Sequence, residues 1–558
     1  MAARRLTVAI ARPASAWERR APLVPEAVRA MVARGVDVLV APSSARAFSD
    51  AEYAVAGATI TDDHAGAAPD LVLTVSPPEP GSLLPDTTYA TFSHTRKAPA
   101  TCAGLLAEAA EKRVRLLDYE LLTEGGVRGA PRLVSFSRSG GHVGMINTFG
   151  GLGSHLLSQG YTTPFLNAPQ AWMLESLWEA RARVFAMGEA IARHGVPAPI
   201  GPLVFAFMGD GNVSRGARDV FELLPHEYVA PADLPALLKA PPSDASHKVF
   251  GVVVRRSDAL QHVAGHGAVG ATGGDLDQHG GGGASSFDEA KYLEDPRAFS
   301  TAPFATGVAP HASVLVNALD WDARYPRWLT AAQLRANAGS GGSGSRLLMV
   351  SDLSCDPHGA VDLGAGRLST SSAPYFSADP TTSLAYEDVD GSRTTVMAVP
   401  ALAQQIPREA SEAFSAQLAP LLPGMLAMAS GEHEGAELRA AEVTTASGAL
   451  SKGFEYIEAA LASRERANGN GKGTGGGATV CLSGHLFDSG LINRALDLLE
   501  QEQPEFNIRG FDGNDDGTTS CTFELGACSD AAADATIAKL EKLSGAIITA
   551  QATLTMRR

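Results

Sequence analysis

The sequence is poor in cysteine, has no long apolar run, and carries fewer basic than acidic residues. Its five cysteines are odd in number and form no CxxC pair, which predicts free thiols in a reducing compartment and no zinc site. No run of about 18 apolar residues occurs, so no membrane-spanning helix is expected. The formal net charge of -16 argues against nucleic acid or an anionic membrane as the main partner.

The length of 558 residues is enough for several domains. A hydrophobic content of 45% and a charged content of 19% are typical of soluble globular proteins. The first five residues lead directly into the apolar segment Leu6–Ala11, which leaves no evident targeting segment. A cytoplasmic location is therefore expected.

Apolar and helical patterns alternate over the first 120 residues. Strands are expected at 6–11, 37–42, 71–75, 88–93 and 114–118, with helices near 25–34 and 100–112. This alternation predicts an α/β domain with a largely parallel sheet. We assign it to residues 1–137 and expect residues from about 366 to 460 to complete it.

A glycine-rich turn, residues 209–216 (GDGNVSRG), lies between the apolar run Leu203–Met208 and a helical pattern. A turn in this context is typical of dinucleotide sites. Gly209 would allow the tight turn, Gly211 the approach of a pyrophosphate, and Gly216 the packing of the helix on the strand. The spacing is one residue longer than the common fingerprint, so the pattern alone fits a plain strand–helix turn equally well.

We assign residues 138–365 to this dinucleotide-binding domain, with a glycine-rich surface insert at 265–286. Residues 464–477 are expected to form a flexible polar linker. Residues 478–558 show the order βαββαβ, which is typical of small ferredoxin-like modules. The predicted fold class is thus α/β, with two Rossmann-like domains, an active-site cleft between them, and a small C-terminal α+β domain.

Several motifs together are more specific than a generic α/β pattern. They are Ala16–Pro25, Tyr89–Lys97, Leu117–Leu121, Thr163–Leu166, Asn212–Ala217 and Pro407–Ser411. With these motifs the chain resembles lysine-ketoglutarate reductase, the lysine-forming saccharopine dehydrogenase, over about residues 5–430. That enzyme is the first half of a bifunctional aminoadipic semialdehyde synthase in animals and plants. Leu482–Asn493 resembles the interdomain segment of the plant form.

The resemblance implies that L-lysine, 2-oxoglutarate and NADPH give saccharopine, NADP and water. The second half, which oxidises saccharopine, has no counterpart in this sequence, so a separate saccharopine-oxidising partner enzyme is possible. The amine must condense with the ketone, lose water and receive hydride. Such chemistry needs acid–base groups at the condensing carbon and cations for the substrate carboxylates.

The resemblance assigns four residues to the substrates. His94 would be the general acid–base group of condensation, and Glu120 would lie near the substrate ammonium. Arg20 and Arg132 would bind carboxylates, with Phe136 packed beside Arg132. From sequence alone, each also fits a structural role: a strand-end histidine, a strand-end acid, or a surface arginine paired with Glu18.

One family residue is replaced. The family has a catalytic lysine eighteen positions before the histidine, where this chain has Ser76. Serine cannot provide an ammonium group that gives up and regains a proton. Lys97 is no evident substitute, because the family motif has a lysine there too.

On the cofactor side, Gly209, Gly211, Asn212 and Gly216 are expected to line the phosphates. The resemblance adds two crevice loops, which contain Asn317, Asp352 and Ser354. After the strand Glu227–Ala230, a site for NAD would carry an acid, but Ala230 and Pro231 stand there, which favours NADP.

Two functions of different class follow from these observations. The first is an NADPH-dependent reductase that makes saccharopine. The second is a regulatory or ligand-binding homologue that still holds NADPH or lysine, as Ser76 suggests. The oligomeric state stays open.

Overall fold

The computed structural model describes most of the chain. The described residues are 5–97 without 13, 14 and 16; 102–263; 287–339 without 323; 346–459 without 357, 433 and 434; 461; 479–484; 491; 495; 498–499; 506–513; 519–525; 537–544; and 553–557. The expected insert at 265–286 and the expected linker at 464–477 lie outside them. The chain forms two compact units, residues 1–97 with 104–451, and residues 98–103 with 452–558.

Twenty-one strands are described. They are β1 (Thr7–Ile10), β2 (Asp37–Val40), β3 (Thr59–Ile60), β4 (Leu71–Leu73), β5 (Thr88–Thr91), β6 (Arg115–Asp118), β7 (Val204–Met208), β8 (His226–Tyr228), β9 (Val249–Val254), β10 (Gln261–His262), β11 (Phe299–Ser300), β12 (Val314–Asn317), β13 (Met349–Asp352), β14 (Phe376–Ala378), β15 (Ala385–Tyr386), β16 (Thr394–Met397), β17 (Glu442–Thr444), β18 (Thr479–Gly484), β19 (Phe506–Gly513), β20 (Thr519–Leu525) and β21 (Thr553–Arg557).

The α-helices described in the first unit connect these strands. They are α1 (Pro25–Ala33), α2 (Asp50–Val55), α3 (His64–Ala67), α4 (Cys102–Glu111), α5 (Ser137–Ser158), α6 (Leu177–His194), α7 (Asn212–Phe221), α8 (Leu234–Lys239), α9 (Arg256–Ala259), α10 (Glu289–Glu294), α11 (Ala302–Gly307), α12 (Ala331–Gly339), α13 (Pro407–Leu418), α14 (Leu422–Ala429) and α15 (Ala436–Ala441).

The first sheet has seven strands in the order β17-β6-β5-β4-β1-β2-β3. All neighbouring strands pair in parallel except β17, which runs antiparallel to β6. Short apolar strands such as β4, with all three residues buried, are what a parallel sheet covered on both faces requires. Side chains of α13 and α14, among them Phe414, Leu418 and Met425, complete the core of this domain.

The second sheet has eight strands in the order β15-β14-β16-β13-β12-β7-β9-β8. Side chains of β7 alternate between two cores, with Phe205 and Phe207 on one face and Ala206 and Met208 on the other. Every residue of β7 is fully buried, since helices and loops cover both faces. The α/β class is confirmed, with two largely parallel, Rossmann-like sheets.

One domain boundary differs from the expected one. Strands β14 and β16 join the second sheet, where β16 pairs in parallel with β13, so this sheet extends to Met397 rather than ending by 365. Parallel pairing of β16 with β13, over Met349–Ser351 and Thr395–Met397, holds this stretch there. The return to the first domain starts at α13, which begins with Pro407.

Helix α5 lies against α7 at a contact between glycines. A Cβ atom on Gly216 would come within 2.1 Å of the Arg138 carbonyl oxygen, and one on Gly141 would come as close to that of Val213. The prediction that Gly216 allows its helix to pack on the strand is therefore wrong. Gly216 instead allows two helix backbones to touch.

The second unit contains a four-stranded antiparallel sheet in the order β19-β20-β18-β21. Numbered along this unit, the order is 2-3-1-4, and residues 537–544 are helical. Val480, Leu482, Cys521 and Phe523 are buried in its core. The last strand of the expected order is β21, which begins at Thr553, and residues 545–552 lie outside the described residues.

Within the described part of the chain, no helix is both long and apolar enough to cross a membrane. The same residues contain no cluster of three or more side chains that could hold a metal ion. Cys355 and Cys521 are present as free thiols.

Candidate functional site

A cleft of about 600 Å³ lies at the carboxyl ends of strands from both sheets of the first unit. Glu120 and Arg132 line it from the first domain. The second domain contributes four strand-end segments, which are Gly209–Val213, Arg255–Ser257, Ala318–Asp320 and Leu353–Ser354. Ligands of open α/β sheets bind at this edge, so the cleft is the leading candidate site.

The glycine turn has the geometry of an anion site. Gly209 has a φ of +92°, which side chains rarely adopt. A Cβ atom on Gly211 would meet nothing within 4 Å, so the backbone is open to the cleft there. No side chain caps the first turn of α7, and its amide groups can donate to an anion. The pyrophosphate of a dinucleotide fits these features.

The structure separates the predicted cofactor residues into two groups. Gly209, Gly211, Asn212 and Ser354 line the cleft. Gly216 is not among the lining residues, because it is buried against α5.

Asn317 and Asp352 bind each other instead of facing the cleft. They end the adjacent strands β12 and β13, and Asn317 Nδ2 donates to Asp352 Oδ1 at 2.9 Å. The same oxygen accepts the amide hydrogens of Ser354 and Cys355, both at 3.1 Å. Burial raises the pKa of Asp352 to about 6. These two residues shape the loop that presents Ser354.

Of the predicted substrate residues, Glu120 and Arg132 line the cleft, and His94 lies beside Glu120. Glu120 Oε1 is 3.7 Å from His94 Nδ1 and 3.7 Å from Arg132 Nη1. Arg132 Nη2 is a further 3.7 Å from Asp320 Oδ2, which belongs to the second domain. These three contacts bring groups of opposite charge together from both domains.

Glu120 is held in its charged form. Burial raises the pKa of this carboxyl, but His94, Arg132 and Arg96 outweigh the burial and lower the pKa to about 2. A carboxylate that stays ionised suits the binding of an ammonium group.

Asp118 is a buried residue that the sequence analysis missed. Its carboxylate accepts the Ser93 hydroxyl at 2.5 Å and the Glu120 amide at 2.9 Å. It thereby ties the residue before His94 to the turn that carries Glu120. His94 itself has a φ of +56°, an uncommon conformation for a residue with a side chain. Burial and the charge of Glu120 raise the pKa of Asp118 to about 6.

Arg20 and Ser76 line a second cavity of about 320 Å³ in the first domain. Glu18, only 2% exposed, holds both of them. Arg20 donates from Nε at 2.8 Å and from Nη2 at 2.6 Å, and the Ser76 hydroxyl donates at 2.9 Å. Gln404 donates to the same carboxylate at 3.2 Å. Arg20 is thus paired with Glu18, as one alternative held, but it is buried rather than on the surface.

Aromatic rings connect the two groups of residues. The Arg20 guanidinium lies 4.2 Å from the centre of the Phe136 ring, so Phe136 packs on Arg20, a contact that was not expected. Phe136 is 5.7 Å from Phe92, which stacks on His94 at 6.4 Å. The predicted substrate residues therefore form one continuous region that includes both cavities.

The sequence analysis gave no role to Asp118, Asp320 and Gln404, and it named Glu18 only as the partner of a surface arginine. Glu18 and Asp118 stand within two residues of predicted site residues, and a search for carboxylates near Arg20 and Glu120 would have found them. Asp320 and Gln404 come from distant parts of the chain, and only the fold brings them close.

Two family models match the chain. Residues 9–139 match the alanine dehydrogenase/PNT N-terminal domain. Residues 477–558 match the conserved region of the LOR/SDH bifunctional enzyme. These matches cover the first domain and the C-terminal unit.

The alpha-aminoadipic semialdehyde synthase of Arabidopsis thaliana is 33% identical over 89% of this chain and 46% of its own length. The resemblance seen in the motifs is confirmed. The mitochondrial synthases of Mus musculus and Bos taurus are each 32% identical, over 81% and 85% of this chain. This chain spans about half the length of these relatives, 47% and 50% for the two mammalian proteins.

Among solved structures, an L-alanine dehydrogenase matches 82% of this chain with a TM-score of 0.49 and 16% identity. A transhydrogenase from Sinorhizobium meliloti matches 80% with a TM-score of 0.43 and 16% identity.

Proposed function

We propose that this chain is an NADPH-dependent lysine-ketoglutarate reductase, which joins L-lysine to 2-oxoglutarate and reduces the product to saccharopine. The observation that carries the proposal is the cleft, in which Glu120 and Arg132 of one domain face the glycine turn of the other. The relatives are synthases of alpha-aminoadipic semialdehyde by name, which supports an oxidoreductase of lysine breakdown.

The charges of the cleft suit the substrates. L-Lysine brings an ammonium group that can approach Glu120, which stays ionised because of its cationic neighbours. Among the described residues, Arg132 has long contacts with Glu120 and Asp320 and no shorter ion pair, so its guanidinium can bind a carboxylate in a bidentate manner. Arg20 is already paired with Glu18 and would offer only its remaining amino group.

His94 is placed for proton transfer. Its side chain is 59% exposed, and its Nδ1 faces Glu120, which can stabilise a protonated ring. In this role the imidazole gives a proton to the departing water when the imine forms. NADPH, when bound, would supply the hydride that reduces the imine carbon. The chain's part in that step is to hold the phosphates at the first turn of α7 and to present Ser354 across the cleft.

Ser76 favours a second candidate, a regulatory or ligand-binding homologue that holds NADPH or lysine without turnover. The Ser76 hydroxyl donates to Glu18, where a lysine would instead bring a positive charge. The chain would then keep the binding residues and lack one proton-transfer group.

A turnover assay separates the two candidates. We expect loss of reduced-nicotinamide absorbance when purified protein, NADPH, L-lysine and 2-oxoglutarate are mixed, and no loss when either substrate is omitted. Saccharopine should be found by mass spectrometry in the complete mixture only. Tight NADPH or lysine binding without any saccharopine would instead support the binding homologue.

A further inference from the structure

The order of the second sheet identifies the strand beside the glycine turn. Strand β7 leads into the turn, and its neighbour on the side away from β12 is β9, not β8. The two strands end in register, with Met208 opposite Val254, and the Gly209 amide donates to the Val254 carbonyl at 2.9 Å. Residue 255 therefore follows its strand directly beside the turn.

This position has a known role in dinucleotide-binding sheets. The residue at the end of the strand next to the glycine turn meets the adenosine ribose, and a carboxylate there binds the ribose hydroxyls of NAD. In this chain the position is taken by Arg255, followed by Arg256 and Ser257, and all three line the cleft. The expectation based on Ala230 and Pro231 used the wrong strand, because β8 lies at the edge of the sheet.

We propose that Arg255, Arg256 and Ser257 form a subsite for the 2′-phosphate of NADP. This inference rests on the proposed function only in that the cleft takes a dinucleotide. Arginine suits a phosphate ester, because its planar fork donates two hydrogen bonds to two oxygens of one group. Ser257 adds a hydroxyl donor, and α9, which begins at Arg256, is too short to contribute a site of its own.

The present contacts of the two arginines leave donors for such a ligand. Arg255 is 67% exposed and contacts Asp210 through Nε at 3.3 Å, and its two terminal nitrogens make no hydrogen bond to residues that the structure describes. Arg256 donates from Nη1 to Glu289 at 2.6 Å and lies 5.6 Å from the centre of the Tyr292 ring. Asp210 and Glu289 thus orient the two guanidinium groups toward one wall of the cleft.

Asp210 and Glu289 also provide the alternative to this subsite, which is a preference for NAD. Asp210 and Glu289 balance the charges of Arg255 and Arg256, so a site that used these acids to bind ribose hydroxyls would favour NAD. Arg255 occupies the strand-end position itself, whereas Asp210 lies in the turn and Glu289 begins α10. The position beside the ribose therefore carries a cation, which decides for NADP.

Calorimetric titration of the full chain with NADP and with NAD tests the subsite without any turnover. We expect NADP to bind at least about tenfold more tightly, the effect of one good charge-assisted contact. Arg255→Ala and Arg256→Ala should each remove most of this difference and leave the affinity for NAD unchanged. Arg193→Ala, at an exposed position on α6, is the matched control and should change neither affinity.

Three results would overturn the subsite. These are tighter binding of NAD by the unaltered protein, an equal loss of both affinities in the arginine variants, or no binding of either dinucleotide. The last result would also remove the basis of the proposed function. Selective NADP binding that depends on Arg255, in a protein that makes no saccharopine, would support the subsite and overturn the reductase. Thermal unfolding of each variant confirms that the compared proteins are folded.

Discussion

The two cavities of the first unit differ in how tightly their charged groups are paired. At the cleft, Glu120 lies 3.7 Å from His94 and 3.7 Å from Arg132. In the second cavity, Glu18 receives hydrogen bonds of 2.6 to 2.9 Å from Arg20 and Ser76. Loosely paired charges can exchange their partners for a ligand at small cost, whereas a buried, saturated pair mainly fixes the local structure. This difference favours the cleft as the candidate ligand site and predicts a structural role for the Glu18 network.

The largest expected effect is on turnover and concerns the loosely paired charges around Glu120. His94→Ala should lower turnover by about 10²–10⁴-fold, because a positioned proton-transfer group contributes that much. NADPH affinity should stay unchanged, since His94 belongs to the substrate side. Steady-state kinetics and a binding titration measure the two effects.

His194→Ala, at an exposed histidine near the end of α6, is the control for this change. An unaltered rate in His94→Ala would give His94 a structural role only.

For the tightly paired Glu18 and Arg20, the main expected effect of a substitution is on the stability of the protein. Glu18→Gln should lower the free energy of unfolding by about 3–5 kcal/mol, because it leaves the Arg20 charge buried without a compensating carboxylate. Denaturant titration measures the change.

The matched control is Asp62→Asn, which removes an exposed ion pair with Arg12 and should cost less than about 1 kcal/mol. Equal effects of the two substitutions would show that the comparison between buried and exposed pairs does not hold here.

A smaller effect is expected at position 76, which lines the second cavity. Ser76→Lys should raise turnover by about tenfold or more, because it restores a proton-transfer group beside Glu18. The cavity of about 320 Å³ offers room for the longer side chain.

Ser82→Lys, in the same cavity, is the control, because Ser82 bonds to Glu79 rather than to Glu18. A slower protein that is also destabilised by about 1–3 kcal/mol would mean that the cavity has been rebuilt around serine. An unchanged rate at normal stability would mean that another group of this chain transfers the proton.

The smallest expected effect concerns pH and the loop beneath Ser354. Burial raises the pKa of Asp352 to about 6 from an ordinary 3.8. Between these values the unfolded chain loses this proton and the folded chain keeps it, so the contribution of Asp352 to stability falls as pH rises from about 4 to 6.

Asp352→Asn should remove this pH-dependent loss of stability. The free energy of unfolding of the unaltered protein and of the variant is measured at pH 4 and at pH 6.5, and the difference between the two proteins should change between these pH values. The exposed Asp233→Asn is the control. A difference that stays constant over this range would show that Asp352 does not titrate there.

Local sequence patterns predicted individual strands and helices but not which strands lie next to each other in a sheet. The apolar run 203–208 and the glycines after it predicted β7, the turn and α7, which the structure contains. The sequence could not show that β9 rather than β8 lies next to β7, because strand order depends on how a whole sheet is covered. That difference moved the proposed ribose position from Ala230 to Arg255.

Site residues could be predicted from the sequence when they belong to a recognisable motif. They could not be predicted when the fold brings distant segments of the chain into contact. His94, Glu120 and Arg132 come together as the resemblance implied. The contact of Gly216 with α5 depends on a helix about 70 residues earlier in the chain, and the turn pattern alone favoured a different role. Gln404 reaches Glu18 across 386 residues, which no local spacing could indicate.

The most direct test of the account is hydride transfer itself. NADPH carrying deuterium at both C4 positions, mixed with the protein, L-lysine and 2-oxoglutarate, should give saccharopine one mass unit heavier than the product of ordinary NADPH. The label should lie on the carbon that was the ketone of 2-oxoglutarate. Saccharopine without the label, or no saccharopine at all from folded protein that binds NADPH, would contradict the proposal that this cleft joins the two substrates by reduction.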